Sequence, residues 1–252
     1  MKKIGIILIH GLGGTPTEMK YVGNFLERKG IAVKYCVLAG HCSTLEDLRK
    51  STRQEWINSA NKCYDEFSLE CSKIFVGGLS AGCLLALNLA MNKKIAGIVC
   101  FSPTFVLNGW SMPFYMPILR YLHPRMGIFN INLKEKPPYG IKDERIRKLV
   151  TSQMDNPDPT VAGSFFTPLQ TMLQFNRLSL NVEKNLNKIS TSILSFHSIE
   201  DDVANINNSY KLYNTEGLYV DVYKLNDSYH LVTLDKQRDI VCHETLRFIK
   251  RN

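Results

Sequence analysis

Six short apolar runs separated by helical patterns restrict what this chain can fold into more than any other feature. IGIILI (4–9), IAVKYCV (31–37), KIFVGG (73–78) and IAGIVCF (95–101) occupy the first hundred residues, and SILSFH (192–197) and LYVDVYKL (218–225) follow much later. Apolar spacing between them predicts helices near Thr17–Lys29, Thr52–Phe67, Ala81–Met91, Asn207–Tyr213 and Leu234–Lys250. Strands that are apolar throughout must be covered on both faces, and intervening helices supply the crossovers that parallel strands need. The fold class expected is therefore α/β, a mostly parallel central sheet flanked by helices. A chain of 252 residues suits one such domain.

The rhythm breaks between Pro103 and Lys188. Nine of the ten prolines lie from Pro103 to Pro168, among aromatics such as Trp110, Phe114, Tyr115, Tyr121, Phe129, Phe165 and Phe166. No strand is expected there. So many large apolar side chains exclude a disordered linker, which predicts a core of residues 1–102 and 189–252 with an inserted cap, or lid, of residues 103–188.

No stretch reaches about 18 consecutive apolar residues, so no stable membrane insertion is expected. The start MKKIGIILIHGLGG runs into a strand and a glycine turn without a small-residue cleavage site, which predicts a cytoplasmic protein. Seven cysteines are odd in number and never spaced C-x-x-C, which points to reduced thiols rather than disulfides or zinc. The net charge of +8 favours acidic partners in general. Nucleic acid is not among those expected, because no helix-turn-helix, RNA-binding aromatic signature or zinc finger accompanies the charge.

Within IFVGGLSAGCLLA, residues 78–82 spell G-x-S-x-G. Ser80 follows a strand and precedes a helical run, the setting that lifts a serine above the C-terminal edge of a parallel sheet. A serine hydroxyl needs a base to take its proton, a group to hold that base, and N–H donors for the oxyanion. Ala81 follows the serine and offers one N–H. The loop His10-Gly11-Leu12-Gly13-Gly14 after the first strand offers Leu12 for the second. A dinucleotide-binding reading of that loop fails, because Pro16 stands where G-x-G-x-x-G needs its last glycine.

Of six histidines, His10 and His41 sit in turns where a ring fixes a loop, while His123, His197 and His243 read as solvated or locally bonded. His230 alone lies in a loop, NDSYHLVTLD, between the last strand and the last helix, from which it can return to the serine. Glu200, Asp201 and Asp202 lie just past the strand SILSFH and are candidate acids, with helix-start carboxylates as the competing role. Cys83, three residues beyond Ser80, is expected to pack against the sheet.

The order serine, acid, histidine, with HGLGG, GLSAG, EDDVAN and SYHLVTLD, resembles the α/β-hydrolase superfamily. LIHGLGGTPTEM, VGNFLERKG, LAGHC, GLSAG and SYHLVTLD resemble small bacterial carboxylesterases and monoacylglycerol lipases in particular. That resemblance implies Ser80 as nucleophile, His230 as base, Asp201 as acid, and the N–H groups of Leu12 and Ala81 as oxyanion hole. Val203 and Asn205 match the family's spacing after the acid better from Asp201 than from Asp202, which is expected to be exposed or to start a helix.

The function implied is hydrolysis of small-molecule carboxylic esters through an acyl-enzyme, with no metal or organic cofactor. A thioesterase or amidase, or a silent binding protein of the same fold, are the competing readings. The cap is longer and richer in proline than in the smallest esterases. It also holds an excess of five positive charges, so an acidic acyl carrier protein stays open as partner, met by Arg120, Arg125, Arg145, Arg147 and Lys148 as in pimeloyl-carrier methyl ester hydrolases. Local pairing of those cations along IKDERIRKL is the simpler account. Oligomeric state stays open.

Overall fold

The computed structural model describes residues 3–122, 131–154 and 165–252. In chain order the strands are β1 (Lys3–Ile9), β2 (Ala32–Cys36), β3 (Cys71–Leu79), β4 (Gly97–Phe101), β5 (Asn132–Lys134), β6 (Phe166–Pro168), β7 (Ile193–Ser198) and β8 (Val220–Leu225). The helices are α1 (Lys20–Arg28), α2 (Leu45–Lys50), α3 (Arg53–Phe67), α4 (Ala81–Ala90), α5 (Met116–Leu119), α6 (Glu144–Met154), α7 (Leu169–Lys184), α8 (Asn207–Tyr213) and α9 (Arg238–Arg251). Six strands make one sheet in the order β2-β1-β3-β4-β7-β8, and every pairing in it is parallel. β3, which carries Ser80 at its end, lies in the middle of that order.

Each face of the sheet has its own apolar layer. Ile7, Ile9, Val76 and Ile98 pack with Trp56 and Ala60 of α3, Leu84 and Leu87 of α4, and Leu178 and Val182 of α7. Ile6, Leu8, Phe75 and Val99 pack with Val22 and Leu26 of α1 and with Val241, Phe248 and Ile249 of α9. α4 is buried almost all round, as ALNLA requires once the helix is pressed between the sheet and α3 and α7. Each fully buried leucine there is worth roughly 1.5–3 kcal/mol against exposure.

The structure departs from the sequence reading at particular places. The first helix is split: Pro16 and the Thr15 side-chain cap start a 3-10 turn, Pro16–Met19, before α1 begins at Lys20. The last helix begins at Arg238 rather than Leu234, because residues 231–237 turn around the carboxylate of Asp235. α2 was not expected; a reciprocal capping box of Thr44 and Asp47 nucleates it. Two three-residue strands, β5 and β6, form an antiparallel pair where none was expected. α7, within the stretch expected as a cap, packs against α2, α3 and α4. No helix among the described residues is long and apolar enough to cross a membrane.

Candidate active site

The turn from β3 to α4 is set by close contact. Ser80 holds φ 53° and ψ −113°, a left-handed conformation that costs a side-chain-bearing residue on the order of 1–3 kcal/mol. Its N–H donates to the Phe101 carbonyl at 2.9 Å, and its own carbonyl accepts from Cys83 N at 3.1 Å. A Cβ at Gly78 would lie 2.2 Å from the Gly82 backbone, and one at Gly82 would lie 2.4 Å from the Ile9 carbonyl oxygen. Only glycine fits at both positions, so the spacing G-x-S-x-G is a packing requirement of this turn.

His230 and Asp201 meet beyond the C-terminal ends of β8 and β7. The His230 Nδ1–H faces both Asp201 oxygens, at 2.8 and 3.0 Å. Asp201 Oδ1 also accepts from the N–H groups of Val203 at 2.9 Å and Ala204 at 2.8 Å, and Oδ2 lies 3.3 Å from His197 Nε2. Burial alone would raise the Asp201 pKa, but the charge and hydrogen bonds of His230 and His197 overcome it and hold this carboxyl well below the usual range. Burial pulls His230 down, yet the Asp201 carboxylate outweighs it and raises the pKa above its ordinary 6.5.

Asp202 is neither exposed nor a helix start. It is 1 % exposed, its Oδ2 accepts from Gly140 N at 3.0 Å, and its Oδ1 accepts from His230 N at 3.3 Å. It grips the backbone of the histidine while Asp201 grips the ring. Of the two roles expected for His197, the bonded ring is the one found: it is fully buried, with Nδ1 on Ser209 Oγ at 2.8 Å and Nε2 on the Ala204 carbonyl at 2.7 Å. It supports the acid from behind.

Ser80 and His230 line one cavity but share no hydrogen bond. Ser80 Oγ donates to Thr104 Oγ1 at 3.2 Å, and Thr104 in turn donates to the Ser102 carbonyl at 3.0 Å. His230 Nε2 is buried and has no hydrogen-bond partner among the described residues. The backbone of His230 is held by Ser102, whose Oγ donates to its carbonyl at 2.7 Å.

Gly11 and Leu12 of the glycine loop line the same cavity as Ser80, a Cβ on Gly11 would lie 3.7 Å from the Ser80 Cβ, and neither Leu12 N–H nor Ala81 N–H makes a backbone hydrogen bond among the described residues. His10 fixes the loop: Nδ1 lies 2.8 Å from the Gly11 carbonyl, and Nε2 accepts from Leu38 N at 3.3 Å. His41 packs against it with the rings tilted and their centroids 5.0 Å apart. Burial brings His10 down to about 3 and His41 down to about 4, so both stay neutral. Glu18, not singled out from the sequence, accepts from Gly11 N at 2.9 Å, and burial pushes it up to about 7.

A cavity of about 450 Å³ opens over Ser80 and His230. Leu107, Met112, Met116, Met172 and Phe175 give it an apolar arm, and Glu18, Glu135 and Tyr139 line it together with the glycine loop. Residues 103–188 are tied to the acid and histidine loops. Ser111 donates through N and Oγ to the Asp202 carbonyl at 2.9 and 2.7 Å. Asp235 accepts from Lys142 N and Asp143 N, both at 2.8 Å, and the Gly140 carbonyl accepts from Leu231 N at 2.7 Å.

Other candidates fall away from this cavity. Cys83 is fully buried, its Sγ lies 2.9 Å from the Gly78 carbonyl, and burial raises its thiol well above the ordinary range. His243 meets Phe25 edge to face, with ring centroids 4.8 Å apart. Arg120 is buried and paired with Glu183, and Arg147 reaches the Ile141 carbonyl at 3.2 Å and pairs with Glu144. Arg145 and Lys148 are exposed. His123, Arg125 and Phe129 lie outside the described residues. No group of His, Cys, Asp or Glu suited to a metal ion occurs among the described residues.

A family model described as serine aminopeptidase, S33, matches residues 2–237. The chain is similar to the thermostable monoacylglycerol lipase of Bacillus sp. (strain H-257), at 27% identity across 99% of this chain and 91% of that protein. It is also similar to a carboxylesterase of Bacillus subtilis (strain 168), at 23% identity across 98% and 92%. The monoglyceride lipase of Saccharomyces cerevisiae, solved as a soluble variant with a substrate analog, superposes with a TM-score of 0.80 at 17% identity, covering 99% of this chain and 87% of that one. With the parallel sheet order above, these likenesses make the architecture an α/β-hydrolase fold.

Proposed function

The chain belongs to the serine aminopeptidase S33 family, and from that premise we propose that it is a serine carboxylesterase acting on short- to medium-chain or monoacylglycerol-like esters. One observation carries the reading: a histidine clamped by a buried carboxylate, its Nε2 unpartnered, lines the same cavity as a serine on a strained elbow. The names of the two Bacillus relatives support ester rather than peptide substrates.

In this mechanism Ser80 Oγ leaves Thr104, gives its proton to His230 Nε2 and attacks the ester carbonyl. The oxyanion is received by the Leu12 and Ala81 N–H groups. Loss of one such donor typically costs about 100- to 1,000-fold in turnover. His230 returns the proton to the departing alcohol, then takes one from water for the second attack, while Asp201 stabilises the imidazolium without itself being protonated. Its depressed pKa suits that role. The apolar arm takes the acyl chain, and residues 103–188 act as the cap that excludes water.

The test is a fluorophosphonate label read by mass spectrometry, alongside p-nitrophenyl butyrate hydrolysis. Label on Ser80, lost in Ser80→Ala together with several orders of magnitude of turnover, is the expected result. Label that persists in Ser80→Ala sinks the assignment, and a labelled serine with no turnover of esters or thioesters favours a binding protein. The carrier-protein reading rests on exposed Arg145 and Lys148. Their charge reversal should slow a carrier-bound ester and spare the p-nitrophenyl ester.

A further inference from the structure

Two carboxyls, Glu18 and Glu135, line the cavity with the glycine loop, and no step of neutral-ester hydrolysis needs their charge. Glu18 is held against the loop by Gly11 N, and its Oε1 lies where a Cβ on Gly14 would come within 2.0 Å. Glu135 follows β5, fixed by its N–H to the Phe165 carbonyl at 2.8 Å. Neither carboxylate has a lysine or arginine partner among the described residues, although Lys134 and Lys136 flank Glu135 in sequence. Both glutamates act on His230, and Glu18 acts on Glu135. His230, 4 % exposed and with an unpartnered Nε2, lines the same cavity.

Negative charge at this place opposes the oxyanion that must form on the Leu12 and Ala81 N–H groups. A cation between the two glutamates removes that conflict and satisfies their free oxygens with a charge-assisted hydrogen bond. The apolar arm is suited to the acyl chain, which leaves the glutamate side to the alcohol. We propose that Glu18 and Glu135 form a subsite for the ammonium group of a cationic leaving alcohol, so that the enzyme prefers esters of amino alcohols. The inference rests on the esterase reading above. The overall reaction is unchanged: the acyl C–O bond breaks, the amino alcohol takes its proton from His230, and water releases the acid. Burial, with repulsion from Glu18, pushes Glu135 up to about 7, and burial pushes Glu18 up to about 7, as expected of carboxyls lacking their counter-ion.

A matched pair of butanoates tests this at neutral pH: the 2-(dimethylamino)ethyl ester, protonated and carrying one N–H donor, and the isosteric, uncharged 3-methylbutyl ester. The ratio of their kcat/KM values should drop roughly tenfold from wild type to Glu135→Gln, the charged ester losing its counter-ion while the neutral ester gains from removal of the charge that opposes the oxyanion. Rising salt should shrink the wild-type ratio and leave the variant's flat. An equal ratio in both proteins overturns the subsite while leaving the esterase reading standing. Titration calorimetry reads the subsite without turnover. 2-(Dimethylamino)ethanol should bind the wild type more tightly than 3-methylbutan-1-ol does, and lose that advantage in Glu135→Gln. Equal binding of both alcohols by the wild type overturns the proposal. Failure of both esters to turn over, with no label on Ser80, sinks the esterase reading instead, and the calorimetry still decides the subsite.

Discussion

His230 presents one nitrogen to Asp201, with Nδ1 at 2.8 and 3.0 Å from its two oxygens, and leaves the other without a partner at the cavity wall. The neighbouring carboxylate of Asp202 takes the backbone N–H of the same residue. Two adjacent acids thus hold one histidine at two different places, which separates their roles in the proposed chemistry. Asp201→Asn should keep the fold and lower turnover by about 10⁴, because the ring loses the carboxylate that fixes its tautomer. Asp202→Asn keeps an acceptor oxygen for one of its two N–H partners and should cost about 1–2 kcal/mol in stability with a loss of turnover below about tenfold. Urea melts beside kcat measurements distinguish them; equal turnover losses for the two variants would reverse the assignment.

In the proposed chemistry Thr104, which holds the Ser80 hydroxyl at 3.2 Å, competes with His230 for its proton. A staggered rotation of about 120° at the serine side chain moves Oγ from one partner toward the other, and a neutral hydrogen bond of about 0.5–1.5 kcal/mol holds it on the threonine. Thr104→Val removes that acceptor at nearly constant shape, so the fluorophosphonate labelling rate should rise about two- to tenfold. A fall of more than tenfold with the fold intact would show Thr104 assisting the nucleophile instead.

Much of this architecture is legible in the sequence because it is set by local rules. Runs such as IGIILI and GIVCF have only one stable environment, a sheet covered on both faces, and Gly78 and Gly82 announce a turn that tolerates no Cβ. What is not legible depends on contacts across the chain. β5 and β6 are three residues each and exist through their mutual pairing, without any β-branched run to mark them. Asp202 reads as a solvated carboxylate until Gly140, 62 residues away, brings its N–H to it. Glu18 lies in a plain PTEM turn, and nothing in that turn shows that its carboxylate folds back onto Gly11.

In the proposed chemistry His230 sets the acid limb of activity. A general base works only when neutral, and Asp201 raises its pKa above 6.5. kcat/KM for a neutral ester should therefore fall as pH drops through a value above 6.5, with a slope of about one decade per pH unit below it. Removing the Asp201 charge takes away the upward pull, so Asp201→Asn should move the limb of its residual activity to lower pH. A limb that stays in place would locate the titration elsewhere.

Glu135 makes a separate prediction about stability, one that needs no substrate. Its carboxyl keeps its proton up to about 7 in the native protein against 4.5 ordinarily, so the folded state binds that proton more tightly than the unfolded one. The resulting stabilisation is fully present below pH 4.5 and is lost as pH rises through about 7. Above that pH the native protein carries a half-buried charge without a counter-ion, a cost that Glu135→Gln removes. The variant should match wild type at pH 4.5 and be more stable by about 1–2 kcal/mol at pH 8, less than the full shift implies because solvent screens a half-buried group. Glu18 titrates in the same direction, but its hydrogen bond to Gly11 N makes its substitution disturb the oxyanion loop, so Glu135 gives the cleaner measurement. Urea melts of both proteins across this range decide it. A stability gain of equal size at pH 4.5 and pH 8 would mean that glutamine simply packs better there, and that residue 135 carries no buried charge.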